Sequence, residues 1–159
     1  MAGSEQSAGA ERQDGGSADV LASEECFRLL QADTVGRIAF VAGEHPVVLP
    51  VNYRAVLAGR TVWVIIRTHP GGSIDRAPLH ASFQVDGVDA RARLGWSVLV
   101  RGALVHLDEA AVAELAGYAD PQPWLAERDS WLALKATAVT GRRVHGAELQ
   151  WAFHLRAYI

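Results

Sequence analysis

The sequence contains a succession of short runs rich in β-branched and aromatic residues, separated by Gly, Pro and polar residues. Such runs are typical of β-strands, because branched and aromatic side chains pack well on a pleated surface, whereas Gly and Pro favour turns. Short turns, without long helices alternating with the runs, favour a closed or half-closed antiparallel barrel over a parallel α/β sheet. Six strands are predicted, over residues 34–42, 47–56, 61–68, 80–85, 96–106 and 131–139.

Two short helices are predicted to flank the strands. Residues 23–31 place acids in the first turn and apolar residues at helical spacing, and the Ser23 hydroxyl is expected to cap this helix. Residues 109–118 form the second predicted helix. Within the second strand, Pro50 predicts an edge, a break or a bulge, because proline cannot donate to a sheet ladder. The fold class is therefore mostly β, a barrel with short flanking helices.

The two ends of the chain differ in composition from the centre. Residues 1–19 are almost all Gly, Ala, Ser, Gln and charged residues, which cannot bury enough surface to offset the entropy of ordering, so a disordered tail is predicted. One folded domain is expected over residues 20–159. Within that domain, residues 147–159 alternate apolar and polar side chains as a half-buried strand does.

Composition and charge narrow the expected partners and compartment. A formal net charge of −3 provides no excess of cations for a phosphate backbone, so nucleic acid is not an expected partner. The single cysteine, Cys26, cannot form an internal disulfide and is expected to be a structural thiol in a reducing compartment. The sequence shows no secretory-type start and no apolar stretch of membrane-spanning length, so a cytoplasmic location without membrane contact is expected.

The common catalytic motifs do not occur in the sequence. Gly-x-Ser-x-Gly, the Walker lysine loop and His-Glu-x-x-His are absent, which argues against serine hydrolases, P-loop phosphate transfer and zinc proteases. The six histidines form no helical pair at ligand spacing, so no metal site is predicted. No catalytic residue is assigned.

Polar features converge in the segment that follows the third predicted strand. Arg67 and Thr68 end this strand. Gly71 and Gly72 let backbone amides approach a ligand closely, and Ser73 is placed to cap a short helical turn. A cation, hydroxyl groups and free amides together favour an anion such as phosphate. On local sequence alone, a capped turn with a solvent-exposed arginine is the more frequent structure of such a segment.

A set of short motifs follows in order along most of the chain. Their order and spacing resemble the pyridoxamine 5′-phosphate oxidase-like FMN-binding split-barrel family, in particular its small, single-domain members of actinobacterial type. The resemblance extends from about Leu21 to Arg143. The motifs occupy residues 34–40, 46–53, 66–68, 72–73, 83–86, 95–102 and 140–143.

This resemblance implies a six-stranded split barrel that forms a homodimer, with FMN bound in clefts at the interface and a small-molecule substrate. By position, Arg67, Thr68 and Ser73 match the phosphate-binding residues, and the stretch that begins at Pro50 matches the strand that lines the isoalloxazine ring. In the fifth predicted strand, Ser97 and Arg101 share one face by period two, so both can point into the same cleft. The predicted cofactor-binding residues are Pro50, Val51, Asn52, Ile66, Arg67, Thr68, Ser73, Ser97 and Arg101.

Two residues depart from the family pattern. Many relatives carry a lysine after the phosphate-loop serine, whereas this chain has Ile74, followed by Asp75, which would repel a phosphate that it faced. Three functions are therefore considered for a chain with this sequence. The expected function is that of an FMN-dependent oxidoreductase, as the resemblance implies. A relative that binds the deazaflavin F420 ranks lower, because Lys135 is the only lysine in the sequence. The third is a non-catalytic split-barrel dimer that has lost its cofactor.

Overall fold

A computed structural model describes residues 16–146 of the chain. Residues 1–15 of the predicted tail and the predicted strand at 147–159 lie outside the described residues. The elements, numbered in chain order, are β1 (Ser17–Val20), α1 (Ser23–Ala32), β2 (Val35–Ala42), β3 (His45–Ala58), β4 (Thr61–Thr68), β5 (Leu79–Asp89), β6 (Leu94–His106), α2 (Glu109–Leu115) and β7 (Ser130–His145).

Six of these strands close into a ring. Neighbours in the sheet follow the order β7, β4, β3, β2, β5 and β6, and β6 pairs again with β7. All of these pairs are antiparallel. The long strand β7 serves both neighbours, because Ser130–Lys135 pairs with β4 while Leu132–His145 pairs with β6. The predicted antiparallel split barrel is confirmed, and the six predicted strands form its wall.

A seventh strand, β1, was not predicted. Ser17–Val20 pairs antiparallel with Arg142–His145 of β7, and Asp19 lies 3.4 Å from the Nε2 atom of His145. This strand takes up the last residues of the segment 1–19 that was predicted to be disordered. Composition does not reveal it, because its side chains are exposed and backbone hydrogen bonds to β7 hold it.

Helix α1 packs against β3, β6 and β7. Its buried face includes Cys26 and Leu30, and the Tyr53 hydroxyl donates a 2.6 Å hydrogen bond to the Leu30 carbonyl oxygen. Burial raises the pKa of the Cys26 thiol, which fits the predicted structural role. The predicted Ser23 cap is wrong, because Ala22 occupies the N-cap position and no side chain caps this helix.

The barrel interior is filled by side chains that alternate along the strands. On β3, Tyr53 and Ala55 are buried while Pro50 is exposed, as the predicted alternation requires. The Tyr53 and Phe83 rings lie 4.6 Å apart between centroids at the centre of this core. Fully buried residues around them include Ile38, Val64, Ile66, Val85, Val98, Val100, Leu104, Leu132 and Leu134.

Two irregular segments connect the later elements. Residues 69–78, the β4–β5 loop, contain turns in place of the predicted short helical turn. Residues 116–129, the α2–β7 segment, follow a helix that ends at Leu115, three residues before its predicted end. No helix among residues 16–146 is long and apolar enough to cross a membrane.

Candidate functional site

The barrel wall opens between β3 and β4. These strands pair only over Tyr53–Ala58 and Thr61–Ile66. The preceding part of β3, residues 45–52, pairs only with β2, and the last two residues of β4 pair only with β7. One backbone edge of β3 is therefore without a strand partner in the described part of the chain. Pro50 lies in this stretch, which agrees with its predicted position at an edge.

A cavity of about 280 Å³ lies in this opening, which we call the β3–β4 cleft. Its walls are the free edge of β3, the end of β4 with the β4–β5 loop, and the α2–β7 segment. It brings together six of the predicted cofactor-binding residues with several that were not predicted. The lining residues are Leu49, Pro50, Val51, Asn52, Arg67, Thr68, Gly72, Ser73, Ile74, Pro123, Leu125 and Arg128.

Two hydroxyl groups and a tight turn form one side of the cleft. Thr68 is only 8% exposed, yet within residues 16–146 neither its hydroxyl nor that of Ser73 hydrogen bonds to another residue. The amide of Gly72 donates a 3.0 Å hydrogen bond to the His69 carbonyl oxygen, which closes the turn. A Cβ atom on Gly72 would lie 3.0 Å from that oxygen, so the turn favours glycine. The hydroxyl groups remain available to an anion.

Arg67 reaches the cleft but is already paired. Its Nε atom donates to the Arg128 carbonyl oxygen at 2.7 Å, and its Nη1 atom lies 3.2 Å from both carboxylate oxygens of Asp120. Its Nη2 atom donates to Asp129 at 3.4 Å. The guanidinium also lies 5.1 Å from the centroid of the Trp131 ring. The solvent-exposed arginine expected from local sequence is therefore wrong, since this side chain is only 21% exposed.

Asp75 does not face the cleft, contrary to the concern raised by its position in the sequence. Its carboxylate accepts hydrogen bonds from the Ser130 hydroxyl, from the Gly71 amide at 2.7 Å and from the ring of His106 at 2.7 Å. The Ser130 hydrogen bond is the main cause that lowers the pKa of Asp75 to about 2. The neighbouring Ile74 is buried in the core at 3% exposure. These two departures from the family pattern therefore anchor the β4–β5 loop.

The α2–β7 segment was missed as part of the site. The backbone amide of Trp124 donates to the Asn52 side-chain oxygen at 3.1 Å, which ties this segment to β3. Pro123, Leu125 and Arg128 then complete the cleft. The segment has no periodic pattern, and its contacts are 53 to 72 residues away in sequence. Only the general tendency of loops to carry functional residues points to it.

Comparison with known proteins gives the family. A family model described as pyridoxamine 5′-phosphate oxidase matches residues 22–143, most of the chain. The chain belongs to this family. An uncharacterised protein of Mycobacterium tuberculosis is 31% identical over 131 residues, which cover 76% of this chain and 82% of that protein.

Solved structures of similar proteins share the fold of this family member. The structure of an FAD-binding protein from Mycobacterium smegmatis is 29% identical, has a TM-score of 0.63, and covers 79% of this chain and 98% of its own. A conserved protein of unknown function from Corynebacterium diphtheriae is 24% identical with a TM-score of 0.65, covering 79% of this chain and 96% of its own. The second comparison supports the split-barrel fold alone.

Three residues predicted from the family pattern lie away from the cleft. Ile66 is 1% exposed and belongs to the barrel core. Ser97 and Arg101 share the outward face of β6, as their spacing predicts, but neither lines the cleft. Arg101 instead lines a separate cavity of about 400 Å³ with His80 and other residues. In a single chain, the structure does not bring these three side chains to the other predicted residues.

A larger cavity lies elsewhere in this family member. It measures about 650 Å³ and lies between α1, β3, β4 and α2, with Phe27, Leu30 and Trp63 among its largely apolar lining. None of the predicted cofactor-binding residues lines it. Within residues 16–146, no three His, Cys, Asp or Glu side chains are grouped as a metal site requires. The β3–β4 cleft is therefore the better candidate, because the free hydroxyl groups and the open backbone edge meet there.

Proposed function

We propose that this chain binds a flavin nucleotide in the β3–β4 cleft and acts as a flavin-dependent oxidoreductase on a small molecule. The observation that carries the proposal is the cleft itself, where a free β3 edge lies opposite the Thr68 and Ser73 hydroxyl groups. FMN is the cofactor implied by the family resemblance. The 29% identical relative from Mycobacterium smegmatis is described as binding FAD. Both nucleotides carry a phosphate next to the ribityl chain, so the same cleft chemistry suits either.

The residues of the cleft fit a flavin nucleotide. The hydroxyl groups of Thr68 and Ser73 can donate to a phosphate, and Arg128, which also lines the cleft, carries a guanidinium that can do the same. The Tyr53 amide donates to Thr34 on the β2 side, so the backbone amide and carbonyl of the preceding Asn52 face the free edge and are available to the heteroatoms of a planar ring. A bound flavin would supply hydride or electron transfer, while these residues bind it, orient it and exclude water.

A homodimer is part of this proposal. A cavity of about 280 Å³ is slightly smaller than the sites that enclose drug-sized ligands, so part of the cofactor would extend beyond it. Ser97 and Arg101 lie on the outward face of β6 and do not line this cavity. Their predicted cofactor contacts therefore require a second copy of the chain. We propose that the second copy completes the cleft with this face of β6.

The F420 alternative has less support. The only lysine, Lys135, lies 5.5 Å from the centroid of the Trp63 ring and does not line the cleft. The long acidic tail of F420 would need further cations.

The cytoplasmic location expected from the sequence remains a prediction.

The proposal is tested on the purified full chain by absorbance after release of any bound chromophore, followed by fluorescence titration with FMN, FAD and F420. We expect a flavin spectrum, or saturable quenching by FMN or FAD near one per chain. Saturation by F420 alone would favour the deazaflavin alternative. Colourless protein whose fluorescence is not saturably quenched by FMN, FAD or F420 would support the non-catalytic split barrel and end the proposal.

The position of the phosphate is tested by removing the two free hydroxyl groups. The double variant Thr68→Ala, Ser73→Ala should bind flavin nucleotide about 10- to 100-fold more weakly, since each hydrogen bond to a charged group contributes roughly 1.5–3 kcal/mol and losses are partly offset by water. Ser23→Ala is the control, because Ser23 is an exposed residue at the start of α1, outside the cleft and away from β6. An unchanged dissociation constant in the double variant would mean that the phosphate lies elsewhere.

A further inference from the structure

We infer that Arg128, and not Arg67, is the cation that binds the cofactor phosphate, and that Arg67 is a positioning residue that holds Arg128 at the cleft. This inference rests on the proposed function and assigns the phosphate contact to a different residue. It also gives the α2–β7 segment a role in selecting phosphorylated flavins.

The charge of Arg67 is already compensated. Its Nη1 atom lies 3.2 Å from both oxygens of Asp120, and its Nη2 atom lies 3.4 Å from Asp129. A guanidinium has five N–H donors, and Arg67 makes four hydrogen bonds, to two carboxylates and a carbonyl oxygen. A phosphate would therefore have to compete with these acids for Arg67.

Arg128 has the opposite environment. Arg128 is one of the residues that line the cleft, and within residues 16–146 its guanidinium has no hydrogen bond or ion pair. Neither Asp120 nor Asp129 lines the cleft, and Asp75 is turned toward Ser130. Arg128 is therefore the cation of the cleft whose charge is not neutralised by a neighbouring acid. A guanidinium in this state favours a phosphate through charge-assisted hydrogen bonds.

The position of Arg128 is fixed by the hydrogen bonds of Arg67. The Arg67 Nε atom binds the backbone carbonyl oxygen of Arg128 itself at 2.7 Å. Its contact with Asp120 holds the start of the same segment, where the Asp120 carboxylate also accepts from the Gln122 amide at 2.9 Å. Asn52 binds the middle of the segment through Trp124. Arg67 thus acts on the phosphate through Arg128, by holding the backbone that carries it.

The test compares FMN with riboflavin, which has the same ring system without the phosphate, in fluorescence titrations of the full chain. The readout is the dissociation constant of riboflavin divided by that of FMN, a ratio that falls when a phosphate contact is lost. In Arg128→Ala we expect FMN affinity to fall about 10- to 100-fold while riboflavin affinity stays within about twofold, because only the phosphate contact is lost. Arg60→Ala, at an exposed arginine in the β3–β4 turn, is the matched control and should change neither.

The role of Arg67 is tested by a double-mutant cycle. If Arg67 acts through Arg128, the variant Arg67→Ala, Arg128→Ala should discriminate FMN from riboflavin no less than Arg128→Ala alone. If Arg67 binds the phosphate directly, its removal should lower the ratio further. Arg67→Lys keeps a charge without the planar fork, so it provides a second variant if Arg67→Ala does not fold.

The outcomes separate this inference from the proposed function. FMN binding that is unchanged in Arg128→Ala would overturn the inference while leaving the proposed flavin site intact. A further loss of FMN discrimination in the double variant would also overturn it. Wild-type protein that binds neither FMN nor riboflavin would contradict the proposed function itself, and this inference with it.

Discussion

At the residue scale, Gly102 determines how closely β6 and β7 approach each other. The ladder between these strands shifts register between Arg101 and Gly102. A Cβ atom at position 102 would overlap the backbone carbonyl oxygen of Lys135. A backbone atom within a sheet cannot move aside as a flexible side chain can, so this position requires glycine.

Gly102→Ala should therefore lower the free energy of unfolding by about 1–3 kcal/mol, the usual cost of overpacking. Gly95→Ala is the control on the same strand, because a Cβ atom there would meet its nearest neighbour at an ordinary 3.6 Å. The control should lie within about 0.5–1 kcal/mol of wild type. Urea denaturation measures both, and equal midpoints for the two variants would contradict the close approach at Gly102.

The sequence predicts the position of Arg67 but not its ion pairs. Its place at the end of a strand, before a Gly-rich loop, predicts a cation near the cleft, and the structure places it there. Its partners Asp120 and Asp129 lie 53 and 62 residues further along the chain. No local pattern indicates such pairs, so its neutralisation could not be predicted.

At the scale of elements, Asp75 anchors the β4–β5 loop to two strands. Its carboxylate is bound by Ser130 of β7 and by His106 of β6. The pKa of about 2 means that the folded state favours the carboxylate. The unfolded chain therefore binds a proton at higher pH than the folded chain does. This contribution to stability is present above about pH 4 and is lost as the pH falls toward 2.

Asp75→Asn should lower the melting temperature at neutral pH, by an amount equivalent to a free energy on the order of 1 kcal/mol. The difference from wild type should shrink between pH 4 and pH 2, where the wild-type carboxylate becomes protonated. Glu44→Gln, at an exposed acid of the β2–β3 turn, is the control and should follow wild type. A difference that stayed constant down to pH 2 would contradict the assigned anchor.

Most elements could be predicted because their patterns are local. The six barrel strands and both helices follow from β-branched runs and helical spacing, with ends displaced by up to six residues, the largest at the end of β7. The strand β1 and the α2–β7 segment could not be found in this way. Both are held by contacts with distant parts of the chain, β1 by β7 and the segment by Arg67 and Asn52.

At the scale of the whole molecule, the core fills the inside of the six-stranded ring. The outward face of β6 therefore points away from the core. The proposed dimer uses this face to complete the cleft of the other copy. Sedimentation equilibrium of the full chain should give twice the chain mass of 17.1 kDa. A single-chain mass at concentrations where flavin still binds would contradict the shared cleft.

We propose that the β3–β4 cleft of the whole molecule is a flavin site. The most direct measurement is a crystal structure of the full chain grown with FMN, repeated with FAD. We expect the isoalloxazine ring to lie along Val51 and Asn52, with the phosphate beside Thr68, Ser73 and Arg128. Flavin in the 650 Å³ cavity beside Phe27, or no bound flavin at saturating concentration, would contradict it.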